Sequence, residues 1–288
     1  MDPAAIIGIV LSFGAVIAAI FMEGSTPMSV VLPPPMILVI GGTIGAGLTG
    51  STLRDAKKAF AALPKILTMK PPEPERTIET LVSLADRARR EGLLALEDAA
   101  KDIDDEFLKA GLQAAIDGTD PEDLRVILED KISTKRTADR TISKFYGDLG
   151  GYAPTIGIIG TVVSLVHVLE NLSAPEVLGP LIASAFVATL WGLLTANLLW
   201  LPLSSRLKRA SELECNQMEV AVEGLLAVQA GANPRLVGER LRSLLPADAA
   251  KKKPEKKAAA WAPPAAARRW STRRSRRTTN GGPSATRT

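Results

Sequence analysis

The chain has 288 residues, 46% hydrophobic and 23% charged, with a formal net charge of +4 and a mean hydropathy of +0.13. One cysteine and one histidine exclude a disulfide framework, a zinc cluster and most general-base arrangements. The basic residues are placed very unevenly. None precedes Arg54 and none lies between Phe145 and Ser205, whereas 17 fall from Arg54 to Lys144 and 18 from Arg206 to Arg287.

The first basic-free stretch holds two apolar runs, residues 3–22 and 30–48. A spanning helix needs about 20 largely apolar residues, so residues 1–50 read as two transmembrane helices. The first run has no basic residue ahead of it and so does not read as a normal signal peptide. Pro33-Pro34-Pro35 marks the start of the second helix. Its run Gly41-Gly42-Thr43-Ile44-Gly45-Ala46-Gly47 puts small residues four apart, which lets helices approach closely in lipid.

Residues 51–148 carry 17 Lys and Arg against 20 Asp and Glu and read as a soluble helical insert. Ile78, Leu81, Leu84, Ala85 and Ala88 fall on one helical face. Asp120-Pro121-Glu122-Asp123 has the form of an N-cap, a first-position proline and acids in the first turn. Pro71-Pro72-Glu73-Pro74 breaks the path from membrane to insert.

The second basic-free stretch, residues 149–205, supplies two more spans, at 154–169 with its Gly150-Gly151 lead-in and at 178–203. Pro154 and Pro202 lie near the inner ends of these spans and remove backbone donors, which fits either static kinks or hinges. Thr161, Ser164 and His167 recur at three-residue spacing along one proposed face. Ser184, Thr189 and Thr195 lie in the following span. Such hydroxyls either line an ion path or bond the backbone of their own and neighbouring helices. Glu23, Asp148, Glu170 and Glu176 all sit at span ends, so no carboxylate lies near mid-membrane. An ion-handling function requires an acid from another chain.

Residues 206–245 read as amphipathic helices with a break at Asn233-Pro234. Residues 246–288, rich in Ala, Pro, Lys, Arg, Ser and Thr, cannot bury a core and read as a disordered basic tail. Tethered beside a membrane, that tail suits anionic lipid rather than nucleic acid. The links between paired spans lack Lys and Arg, while the insert and tail are rich in them, so both termini are expected in the cytoplasm. The fold class is thus an all-α inner-membrane protein: four transmembrane helices in two hairpins, a helical cytoplasmic insert and a disordered tail. No nucleophile elbow or metal cluster is present, so the reading is not an enzyme and needs no cofactor or metal.

Four stretches resemble one known family. They are Gly41-Gly42-Thr43; Arg89-Arg90-Glu91-Gly92-Leu93-Leu94-Ala95-Leu96-Glu97; Tyr152-Ala153-Pro154-Thr155-Ile156-Gly157-Ile158-Ile159-Gly160-Thr161-Val162; and Gly231-Ala232-Asn233-Pro234-Arg235. Over residues 4–246 the chain resembles the MotA/PomA proteins, the A subunits of flagellar motor stators. The resemblance implies that Arg89 and Glu97, with Arg90 beside them, engage the rotor protein FliG. It implies that Pro154 and Pro202 are hinges and that Thr161 and Thr189 line the ion path. It also implies a B-type partner that supplies a transmembrane Asp, a ring of five A chains, and transport of either protons or sodium ions. The related ExbB/TolQ class has three spans and lacks the Arg89/Glu97 pattern. A secondary transporter needs an intramembrane charge or inverted repeats, and neither is evident.

Overall fold

The computed structural model describes residues 4–70 and 72–245, and over these residues it is all helical. The tail at 246–288, read above as disordered, lies outside the described residues. Ten α-helices follow in order: α1 Ala4–Met22, α2 Pro33–Thr49, α3 Leu53–Thr68, α4 Pro74–Glu91, α5 Glu97–Lys101, α6 Glu106–Ile116, α7 Pro121–Glu170, α8 Pro175–Thr195, α9 Leu201–Gln229 and α10 Pro234–Ser243. Single 3₁₀ turns occupy Pro27–Val30 and Leu93–Leu96, and a π-turn, Ala196–Trp200, joins α8 to α9.

Local chemistry sets most helix starts. Asp105 accepts from the Phe107 and Leu108 amides at 2.9 and 3.0 Å. Asp120 accepts from Glu122 N at 2.9 Å, and Asn233 from Arg235 N at 3.0 Å. Each satisfies a first-turn donor that has no intrahelical partner. Proline opens α2, α4, α7, α8 and α10, where its missing N–H costs nothing. Gly92 ends α4 with φ +86°, a backbone conformation that a side chain disfavours.

Two regions differ in what they bury. In the apolar region α2 lies against α7 and α8, and α8 runs back along α7. Ile158, Val162, Phe186 and Leu193 point outward, and α1 buries none of its described side chains. Two helices are long and apolar enough to cross a membrane, Pro121–Glu170 and the joined Pro175–Gln229; α1 and α2 are apolar but shorter.

The polar body has a conventional core. Ile78, Leu81, Leu84, Ala85 and Ala88, the predicted face, are all buried. They meet Leu112 of α6, Leu124 and Leu128 of α7, Leu225 of α9 and Leu241 of α10. Residues 51–148 and 206–245 therefore share one core, and the boundaries at 148/149 and 205/206 fall inside α7 and α9. Ion pairs lace the same helices together. Glu223 of α9 accepts from Arg125 of α7 and Arg240 of α10, both at 2.8 Å, and Arg242 reaches Glu75 of α4 at 2.8 Å.

A second buried cluster joins the two regions. Phe60 meets Phe145 edge-on with centroids 5.8 Å apart, and Tyr146 stacks on Trp200 at 6.3 Å. The Tyr146 hydroxyl donates to the Ala59 carbonyl at 2.7 Å, tying α7 to α3. Ser143 and Ser204 each donate to the other's carbonyl, at 3.0 and 2.7 Å, and tie α7 to α9.

Candidate functional site

The seam between α7 and α8 is closed by small residues. A Cβ built on Gly192 would stand 2.6 Å from the Ala153 carbonyl oxygen. One on Gly157 would stand 3.0 Å from the Ala188 carbonyl oxygen and 3.2 Å from the Thr189 Cα. The two backbones are in direct contact there, which no larger residue permits.

Thr161 and Thr189 sit in that seam and meet each other. Their hydroxyls form a short hydrogen bond in which either can donate. Thr161 Oγ1 also lies 3.1 Å from both the Gly157 and Ala185 carbonyls, and Thr189 Oγ1 lies 3.5 Å from Gly157 O. Two hydroxyl protons thus have three acceptor positions between them, and the hydroxyl oxygens keep lone pairs. Both residues are half-buried, neither sealed in the core nor fully exposed. Chemically the pair can hold two helices together, bind a dehydrated cation or orient water.

The other two members of the expected polar face do not join them. His167 is exposed, and its Nδ1 lies 3.2 Å from Glu170 on its own helix. Thr161 meets α8 through Thr189 and the Ala185 carbonyl, whereas the His167 ring reaches only Glu170 of its own helix. The structure assembles the pair Thr161–Thr189, and Ser164 and His167 are not part of it.

The two prolines behave differently. α7 continues through Pro154 without a break. Pro202 follows directly on the π-turn, where Leu201 N donates to Ala196 O, five residues back. A proline ring clashes with the carbonyl four residues earlier, here Leu198, and widening the preceding turn relieves that clash. Thr195 Oγ1 and Asn197 Nδ2 cap the carbonyls of Trp191 and Leu193 beside the bulge, at 2.8 and 2.9 Å.

The charged motif lies in the polar body. Arg89 and Arg90 occupy the last turn of α4 and Glu97 the first turn of α5; all three are exposed. These placements complement the helix dipoles, a structural role that needs no partner. Arg90 is paired with Asp86. Asp98 accepts from Lys101 at 2.9 Å, and that ammonium holds the Asp98 carboxyl below its ordinary range. Arg89 and Glu97 form no ion pair among the described residues.

Several polar contacts have no signature in the sequence. Trp191 Nε1 donates to the Val30 carbonyl at 2.7 Å and ties α8 to the turn before α2. Thr43 is 1% exposed, between α2 and its neighbours, and its hydroxyl has no hydrogen-bond partner among the described residues. Its position inside a glycine run was the only available signal. Among the described residues no cluster of three or more His, Cys, Asp or Glu could hold a metal.

Residues 99–220 match the MotA/TolQ/ExbB proton channel family, and residues 6–92 match the family described as Motility protein A N-terminal. Motility protein A of Bacillus subtilis is 36% identical over 251 residues, covering 86% of this chain and 92% of that protein. Chemotaxis protein PomA of Vibrio alginolyticus is 32% identical over 248 residues, covering 85% and 96%. The fold superimposes on a chain of the flagellar MotAB stator complex from Bacillus subtilis with a TM-score of 0.80 and 34% identity, over 86% of this chain and 97% of that one. With the hydroxyl pair, the paired helices and the charged motif all in one chain, these matches are decisive: the chain belongs to the MotA/PomA family of flagellar stator proteins.

Proposed function

We propose that this chain is the A-type subunit of an ion-driven flagellar stator. A B-type partner with one span supplies a transmembrane Asp, protons or sodium ions pass between the two chains, and the complex turns against the rotor protein FliG. The observation that carries this reading is the Thr161–Thr189 pair: two polar side chains set in an apolar wall with no carboxylate of its own. Hydroxyls can ease an ion past a wall, but a titrating acid must come from elsewhere. The stator complex named above contains a B chain, which supports the same division of labour.

The remaining assignments follow from this reading. At 1.5 Å per residue, α1 with 19 residues is about 28 Å long, close to the roughly 30 Å of a hydrocarbon core. This supports four spans in two hairpins, with the polar body and both termini on the cytoplasmic side of the inner membrane. A ring of five copies encloses the partner spans. Pro154 and Pro202 act as hinges, and the π-turn beside Pro202 supports that role. Arg89, Arg90 and Glu97 face the rotor. The chain is not an enzyme and needs no cofactor beyond the transported ion.

The test is ion flux through the full-length chain co-expressed with its B-type partner, read as a pH or sodium signal in vesicles. Thr189→Val should cut the flux at least severalfold while the complex still assembles. Unchanged flux returns the hydroxyl pair to a packing role and removes the observation on which the reading rests.

A further inference from the structure

Leu94 is the most exposed large apolar side chain of the polar body among the described residues, at 76%. It does not sit on a loose loop. Gly92 turns the chain with φ +86°, and its amide donates to the Ala88 carbonyl at 2.9 Å. Leu93 packs against the core, Leu96 is fully buried, and the 3₁₀ turn Leu93–Leu96 runs straight into α5. Leu94 is thus displayed by a turn pinned on both sides. Arg89 and Arg90 precede it and Glu97 follows it. Arg90 is occupied by Asp86, whereas Arg89 and Glu97, on either side of the exposed leucine, form no ion pair among the described residues, although Glu97 feels the charge of Lys101.

Exposed charge pairs are individually weak and are screened by salt. Protein interfaces combine a polar rim with an apolar centre. We infer that Leu94 is the apolar anchor of the rotor-facing surface. It enters an apolar recess on a protein partner whose rim carries an acid toward Arg89 and a base toward Glu97. The charges then set orientation, and the leucine supplies a salt-resistant share of the contact. This inference rests on the stator reading above.

The experiment uses the full-length chain assembled with its B-type partner and measures binding to purified FliG across a salt series, with complex yield followed in parallel. The variants are Leu94→Ser, Leu94→Met and Arg89→Glu. Burying a leucine corresponds to roughly ten- to a hundredfold in affinity. Leu94→Ser should therefore weaken binding about tenfold or more at every salt concentration, and Leu94→Met should stay within about twofold of wild type. Arg89→Glu should weaken binding mainly at low salt. If Leu94→Ser binds like wild type while Arg89→Glu does not, the anchor is overturned and the rotor contact stands. If neither change alters binding, the rotor assignment fails and takes the anchor with it. If Leu94→Ser lowers the yield of assembled complex, Leu94 belongs to a contact between copies and the anchor is likewise overturned.

Discussion

The α7–α8 seam and the core of the polar body are both made by helix crossing helix, yet different residues close them. In the seam Gly157 and Gly192 bring backbone against backbone, and Gly160 meets nothing of α8 larger than the Ala188 methyl. In the polar body the tight glycines meet side chains. Gly111 faces Leu225 and Leu128, and Gly224 faces Leu81. The solvent explains the contrast. Against water, burying leucine is itself favourable, so a core can be built from large side chains. Against lipid, leucine gains nothing by turning inward, and association depends on close packing and interhelical hydrogen bonds. One chain uses both solutions, and α7 and α9 carry each solution into the other's territory.

The largest effect should come from breaking the seam. In Gly192→Val the new Cβ meets the Ala153 carbonyl at 2.6 Å, and only separation of the helices relieves that contact. Assembly with the partner should be almost completely lost, read as the yield of intact complex after solubilisation. Gly45→Ala is the matched control, since nothing lies within 4 Å of its added methyl. A seam that tolerates valine at position 192 would mean that backbone proximity does not hold it.

Next comes the leucine core. Leu225 is fully buried, and Leu225→Ala should destabilise the polar body by about 2–5 kcal/mol. The comparison sharpens if the damage stays local. Hydrogen exchange should accelerate in α4 and α6, which pack against Leu225's helix, while the α7–α8 seam remains protected. Equal loss of protection in both regions would show that they fold as one cooperative unit.

Sequence reasoning reached these two regions unequally. Asp120 as an N-cap and the buried face Ile78–Leu81–Leu84–Ala85–Ala88 were legible because both are local patterns within a turn or two. Thr161 and Thr189 were legible only as separate hydroxyls; the bond between them joins residues 28 apart, and family likeness rather than spacing linked them. Spacing placed 161, 164 and 167 along one side of α7 but did not say which of them meets α8, because that depends on where the two helices cross. Pro202 was visible, but the π-turn it accompanies was not, since hydrogen-bond register leaves no mark on residue type. The shared core of residues 51–148 and 206–245 was also hidden. Its halves are separated by the second pair of apolar runs, and the Arg125–Glu223 pair that joins them spans 98 positions.

The smallest effect probes whether the polar body also depends on charge. Lys135 Nζ lies 2.6 Å from both Asp139 and Glu214, with all three side chains under a third exposed. Burial alone works to lower the Lys135 pKa, but the hydrogen bonds and charges of the two carboxylates outweigh it and raise the net value above 10.5. A raised folded-state pKa means that the stabilisation is complete below the unfolded value and is lost as pH climbs through the folded one. Lys135→Met leaves two carboxylates facing each other and should cost about 1–2 kcal/mol at pH 8, measured by thermal unfolding of the polar body. The gap between variant and wild type should then narrow above pH 10.5, because the wild-type ammonium is itself lost there. A gap that stays constant through that range would assign the cost to the packing of the lysine stem against α9, and the polar body would rest on its leucines alone.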